Sequence, residues 1–130
     1  MIVKTIPDRI RWLCALAWTI LTLALMLSPA VRLPATFLGD LTDKVAHFAT
    51  FCLLAALWYG VLIRYYPRQR ALGMTIGMAL IFGAFTELMQ GVVPGRSTDL
   101  LDFLANGFGT CAGTAVSYWA QGWRLRRLRD

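Results

Sequence analysis

Four apolar runs, at roughly 12–28, 45–63, 71–93 and 100–120, occupy most of a 130-residue chain. Each is close to the ~20 residues a helix needs to cross a ~30 Å hydrocarbon core. Strands of a membrane barrel would be ~10 residues long and alternate polar with apolar positions, and these runs do not alternate. With 58% hydrophobic residues, a domain of this size has too little polar surface to stay in water. The fold class expected is an all-α membrane protein, a bundle of four antiparallel transmembrane helices in one domain spanning 1–130. Short connections make sequential spans neighbours. Lys4, Arg9 and Arg11 ahead of the first run and Ser28-Pro29-Ala30 after it resemble a cleavable leader. The run is longer than a usual signal core, so it reads as a retained span.

Charge orients these spans. Lys4, Arg9, Arg11, Arg64, Arg68, Arg70, Arg124, Arg126, Arg127 and Arg129, less Asp8 and Asp130, place a net +8 on one side. Arg32, Lys44 and Arg96 against Asp40, Asp43, Glu87, Asp99 and Asp102 leave −2 on the other. The excess of basic residues on cytoplasmic loops puts both termini in the cytoplasm and the acidic side outward. Cations that flank apolar spans meet an anionic leaflet, so the basic balance does not point to nucleic acid. The tail WRLRRLRD reads as a membrane-surface anchor, with Trp119 and Trp123 at headgroup depth. Ile2, Val3, Ile6 and Ile10 among charges suggest an amphipathic stretch along the inner surface. Cys14, Cys52 and Cys111 are odd in number, lack metal-site spacing and read as small buried residues. The chain has no P-loop, dinucleotide fingerprint, HExxH or nucleophile elbow.

Nine polar residues remain at the span rims: Asp43, Lys44, His47, Glu87, Gln90, Arg96, Asp99, Asp102 and Asn106. Ionisable groups at that depth are costly and either pair internally or handle a polar ligand. At 100° per residue Asp99, Asp102, Asn106, Gly109 and Gly113 share one stripe of the fourth span, and Gly73, Gly77, Ala84 and Glu87 share one of the third. Gly73-xxx-Gly77 and Gly109-xxx-Gly113 are close-approach patterns. They predict that the third and fourth helices pack tightly on the inner side and open outward into a polar mouth. Asp43 and His47, one turn apart, close that mouth from the second span. Pro29 and Pro34 end the first helix and shape an outer loop; Pro67 and Pro94-Gly95 mark the later turns.

The segments DKVAHFATF at 43–51, ELMQ at 87–90 and GRSTDLLDFLANGFGTCAG at 95–113 also carry a resemblance. Through Asp43, Lys44, His47, Phe48, Glu87, Gln90, Arg96, Asp99, Asp102, Asn106 and Gly109 the chain resembles the VanZ-like family of small polytopic membrane proteins. The resemblance implies a cell-envelope protein of the inner membrane and a link to tolerance of teicoplanin-type glycopeptide antibiotics.

From the residues themselves, His47 with Asp43 or Glu87 is a candidate catalytic acid/base set. Lys44, Gln90, Arg96, Asp99, Asp102 and Asn106 are candidate ligand-binding groups, the two cations suiting a phosphate or carboxylate. The function expected is binding of an anionic lipid or lipid-linked cell-wall precursor at the extracytoplasmic face, with membrane lipids as partners. Two alternatives stand beside it: a membrane-embedded hydrolase or transferase acting on a lipid headgroup, and an assembly subunit whose polar network only fixes helix register. Carboxylates with one imidazole and two nearby cations make a poor divalent site, so no metal and no cofactor is expected.

Overall fold

The computed structural model describes residues 6–28 and 37–127, with side chains over 6–28 and 41–123. The described residues form four helices and no strand: α1 (Asp8–Met26), α2 (Phe37–Leu62), α3 (Arg68–Gln90) and α4 (Leu100–Arg127). The connection holding Pro29, Arg32 and Pro34, the side chain of Asp40, residues 1–5 and the side chains of the basic tail lie outside that description. α1 and α3 each begin directly after a proline, Pro7 and Pro67, whose φ of −56° already matches a helix and which needs no amide partner there. α3 ends at Gly91, and the turn after it passes through Gly95, whose φ of 86° favours glycine.

Three helices, α1, Leu41–Leu62 of α2, and α3, are long and apolar enough to cross a membrane. α4 is longer still but carries Asp102, Asn106 and a row of glycines and threonines, which lowers its apolar content. Burial explains why. Among the described residues ten polar side chains are buried, as many as apolar ones, while Ile20, Ile81, Leu88, Val116 and other large hydrophobics point outward. That inversion suits a bundle solvated by hydrocarbon, where small and polar residues mediate helix contacts. The buried threonines Thr75, Thr86 and Thr114 donate to carbonyls three or four residues back, so their hydroxyls need no water.

Packing differs from the sequence expectation. The closest helix pair is α2 with α4, not α3 with α4. A Cβ on Gly109 would overlap the Phe48 carbonyl, and one on Gly113 would overlap that of Cys52. Gly73 and Gly77 face open space, and a methyl group on either would meet nothing within 4 Å. The buried stripe of α3 is instead Ala71, Thr75, Ala79, Gly83 and Glu87, a run of small residues at four-residue spacing that ends in a carboxylate. Cys14 and Cys111 are exposed on outer helix faces, which corrects the reading of all three cysteines as buried.

At the end near the α2–α3 turn, Tyr59, Leu62 and Ala71 form an apolar cluster. Arg68 lies 4.0 Å from the Tyr118 ring centre and donates to the Tyr118 carbonyl at 2.8 Å. α1 is tied to α2 mainly by long side chains: Trp18 donates to the Thr50 carbonyl, Trp58 to the Thr19 hydroxyl and Arg11 to the Gly60 carbonyl. Asp8 and Arg64 form an exposed ion pair at 2.9 Å.

Candidate functional site

The α2–α4 seam sets the register of the opposite end. Lys44 meets Asp102, His47 meets Asn106, Phe48 meets Gly109 and Cys52 meets Gly113, so both helices advance in the same direction along the seam. The two glycines let the backbones touch, and that contact brings the polar pairs above them within reach. Phe51 forms the floor: its ring lies 3.3 Å from where a Gly83 Cβ would stand, beside Asn106, and tilts against Phe82 at 6.0 Å.

His47 is 1% exposed, as is Asn106, and Glu87 is 3% exposed. The His47 Nδ1 lies 3.0 Å from the Asn106 Oδ1, and the Asn106 Nδ2 donates to the Glu87 Oε1 at 3.5 Å. Because the carboxylate oxygen accepts from the amide nitrogen, the amide oxygen is left for the histidine, and Nδ1 must carry the proton. Nε2 then faces Asp102, whose Oδ2 stands 3.9 Å away, beyond hydrogen-bond range. Glu87 also serves the backbone. Its Oε2 accepts the Asp99 N–H at 3.3 Å, which anchors the start of α4 to α3.

Asp99 caps α4 in the usual way, its Oδ1 accepting the Leu101 N–H at 2.8 Å. That hydrogen bond, followed by the Lys44 ammonium 3.3 Å from Oδ2, holds the Asp99 carboxyl below the ordinary carboxylate range against partial desolvation. Lys44 also reaches the Asp102 Oδ1 at 3.4 Å. Asp43 sits one turn before His47, and donor atoms of Asp43, His47 and Asp102 all lie within 4.8 Å of one another.

The structure therefore brings together seven of the nine sequence-predicted residues and separates two. Gln90 donates through Nε2 to the Met26 carbonyl at 2.9 Å, and Arg96 donates through Nε to the Ser28 carbonyl at 3.1 Å. Gln90 engages the last carbonyl of α1 and Arg96 one two residues beyond the helix, at an end that attracts positive charge. Beyond the nine, the structure adds Phe51, Gly83 and Thr98, whose hydroxyl donates to the Glu87 carbonyl. The one signal that could have found any of them is Gly83, which lies one turn from Glu87 in the small-residue stripe. Two turns deeper along α2, an apolar cavity of about 120 Å³ is lined by Thr19, Leu54, Trp58, Thr75, Met78, Ala79 and Phe82.

The family comparison fits this geometry. The VanZ/LLP1 family matches residues 8–121, which takes in all the positions described above. The chain is also similar to Uncharacterized protein C11E3.10 of Schizosaccharomyces pombe, 31% identical over 103 residues. That alignment covers 78% of this chain and 59% of the relative, so the chain spans about three fifths of the curated relative it matches. No solved structure matches. Three apolar membrane-length helices and a family match over nearly the whole bundle lead to one assignment: the chain is a membrane protein of the VanZ/LLP1 family.

Proposed function

We propose that the polar cluster binds the headgroup of an anionic membrane amphiphile at the extracytoplasmic face. One observation carries this reading: within a cluster at the rim of apolar helices, the Asp43 carboxylate and the His47 Nε2 make no hydrogen bond or ion pair closer than 3.9 Å among the described residues. A network kept only to fix helix register would pair its members with one another, as Lys44, Asp99 and Glu87 are paired. Lys44, 29% exposed, supplies the cation for a phosphate or carboxylate. The anionic amphiphile is a phospholipid or a lipid-linked precursor of the envelope.

The topology that goes with this reading is four spans of alternating direction in the inner membrane, with both termini cytoplasmic. α4 is the fourth span, its polar stripe covered by α2 and α3. A cysteine introduced as Arg96→Cys in a chain lacking the native cysteines tests the sidedness. Labelling by a membrane-impermeant reagent is expected, and labelling by a permeant reagent alone contradicts it. Binding is tested by titrating the detergent-purified chain with phosphatidylglycerol and phosphatidylcholine. Saturable preference for the anionic lipid, lost in Lys44→Gln, is expected; equal binding of both lipids contradicts the reading. A role in tolerance of teicoplanin-type antibiotics would follow from that binding, and is read as a change in inhibitory concentration when the gene is deleted.

A second reading is favoured by the free Nε2 lone pair of His47, which is placed to accept a proton in hydrolysis or transfer at a lipid headgroup. Turnover of a labelled lipid that disappears in His47→Gln selects this enzyme reading over binding alone.

A further inference from the structure

We propose that Asp43, His47 and Asp102 form a binding site for one divalent cation. One donor atom from each lies within 4.8 Å of the other two, from positions 43 and 47 of α2 and 102 of α4. The second observation is the state of His47. It is 1% exposed, its Nδ1–H is committed to Asn106, and its Nε2 points toward the Asp102 Oδ2 at 3.9 Å without a hydrogen bond. An imidazole that ligates a metal characteristically donates its other N–H to a fixed acceptor, which selects the tautomer and aims the lone pair. Asn106 does this here, and Glu87 in turn fixes Asn106.

Asp102 is divided in the same way. Its Oδ1 takes Lys44 at 3.4 Å, which leaves Oδ2 for the cation. Asp43 engages no ion pair or hydrogen bond among the described residues and is free to ligate. Metal–donor distances of ~2.0–2.2 Å place adjacent donors roughly 3 to 3.5 Å apart, so the 3.9 Å separation closes by less than about 1 Å on binding and the 4.8 Å limit of the set by less than about 2 Å.

Charge supports the same conclusion. Among the described residues of the cluster, Asp43, Glu87, Asp99 and Asp102 set four formal carboxylates against the ammonium of Lys44, a formal −3. Arg96, expected from the sequence to be a second cation here, is directed to the Ser28 carbonyl. A divalent cation removes most of that surplus. Two carboxylates and one imidazole suit Mn²⁺ or Zn²⁺, with Mg²⁺ retained through additional waters. A cation held here keeps coordination positions open toward the outer face, where a lipid phosphate oxygen can complete its shell. That bridge rests on the headgroup reading; the cation site does not.

The test is a Mn²⁺ titration of the detergent-purified full chain without lipid, followed by the loss of the free-ion paramagnetic resonance signal. One saturable site per chain is expected, weakened by about tenfold or more in Asp43→Asn and in His47→Gln. Asp8→Asn, at the opposite end of the bundle, keeps wild-type affinity. Asp43→Asn is the decisive variant because that carboxylate makes no hydrogen bond or ion pair among the described residues. Absence of saturable binding in the wild type, or unchanged affinity in Asp43→Asn, overturns the site. Phosphatidylglycerol binding without Mn²⁺ binding overturns the cation proposal alone. Mn²⁺ binding without any lipid preference upholds it and overturns the headgroup reading.

Discussion

Two glycine pairs with the same spacing do opposite things in this molecule. Gly109 and Gly113 lie against the backbone carbonyls of Phe48 and Cys52, where no side chain fits, and they bring α4 against α2. Gly73 and Gly77 on α3 touch nothing within 4 Å. Small-xxx-small spacing therefore marks where close approach is allowed, and what decides its use is the rest of the helix face. On α4 the glycines continue a stripe that begins with Asp102 and Asn106, so burying the polar groups buries the glycines. On α3 the buried face is carried by Ala71, Thr75, Ala79 and Gly83, leading to Glu87, and Gly73 and Gly77 lie off it.

The largest effect that separates the two pairs is steric. Gly113→Leu is expected to cost more than the ~3 kcal/mol upper range of ordinary overpacking, because the obstacle is backbone. Gly77→Leu should leave the melting temperature within a few degrees, and equal losses in one detergent would dissolve the contrast. Asn106→Leu asks whether the cluster above the seam also holds the helices together. It removes the partner of both His47 and Glu87 and should cost about 1–3 kcal/mol in the same melt, less than Gly113→Leu. Gly73→Ala and Gly77→Ala should each raise stability by roughly 0.5–1 kcal/mol, since the new methyl meets open space and the helix loses a flexible residue. A loss from either alanine would mean the open face is occupied by a partner.

The smallest effect is electrostatic. The Asp99 carboxyl is held below its ordinary value by the Leu101 N–H and by Lys44, so its contribution to stability is fully present above the unfolded-state value near ~4 and is lost as pH falls through the depressed folded value. The difference between wild type and Asp99→Asn should be constant at neutral pH and shrink only below about pH 4. A difference that vanishes between neutral pH and pH 5 would assign it to another group.

Much of this can be read from residues alone. Helical phase places Asp99, Asp102, Asn106, Gly109 and Gly113 on one stripe, and the structure buries all but Asp99, which caps the helix. The apolar runs give four helices with boundaries shifted by up to eight residues, because α2 begins at Phe37, within the polar stretch ahead of the apolar run. Polarity alone does not separate Gln90 and Arg96 from the cluster. Their partners are main-chain carbonyls at and just beyond the end of α1, which have no side-chain signature in the sequence. Nor does it tell that Asn106, rather than Asp43, holds the His47 Nδ1, since that depends on the register set by the glycine seam. The α3 stripe is visible in principle, but the glycine pair points to the wrong face.

The central claim is that the polar cluster is kept for a ligand while the glycine seam holds the fold, and Asp43→Asn divides the two most directly. Its melting temperature should be measured beside the wild type, first in detergent alone and then with phosphatidylglycerol and Mn²⁺. The account predicts a variant at least as stable as wild type without ligand, and a ligand-induced rise in melting temperature for the wild type only. A variant that melts several degrees lower without ligand, yet gains as much as wild type when the ligands are added, would show that Asp43 serves the fold and not a site.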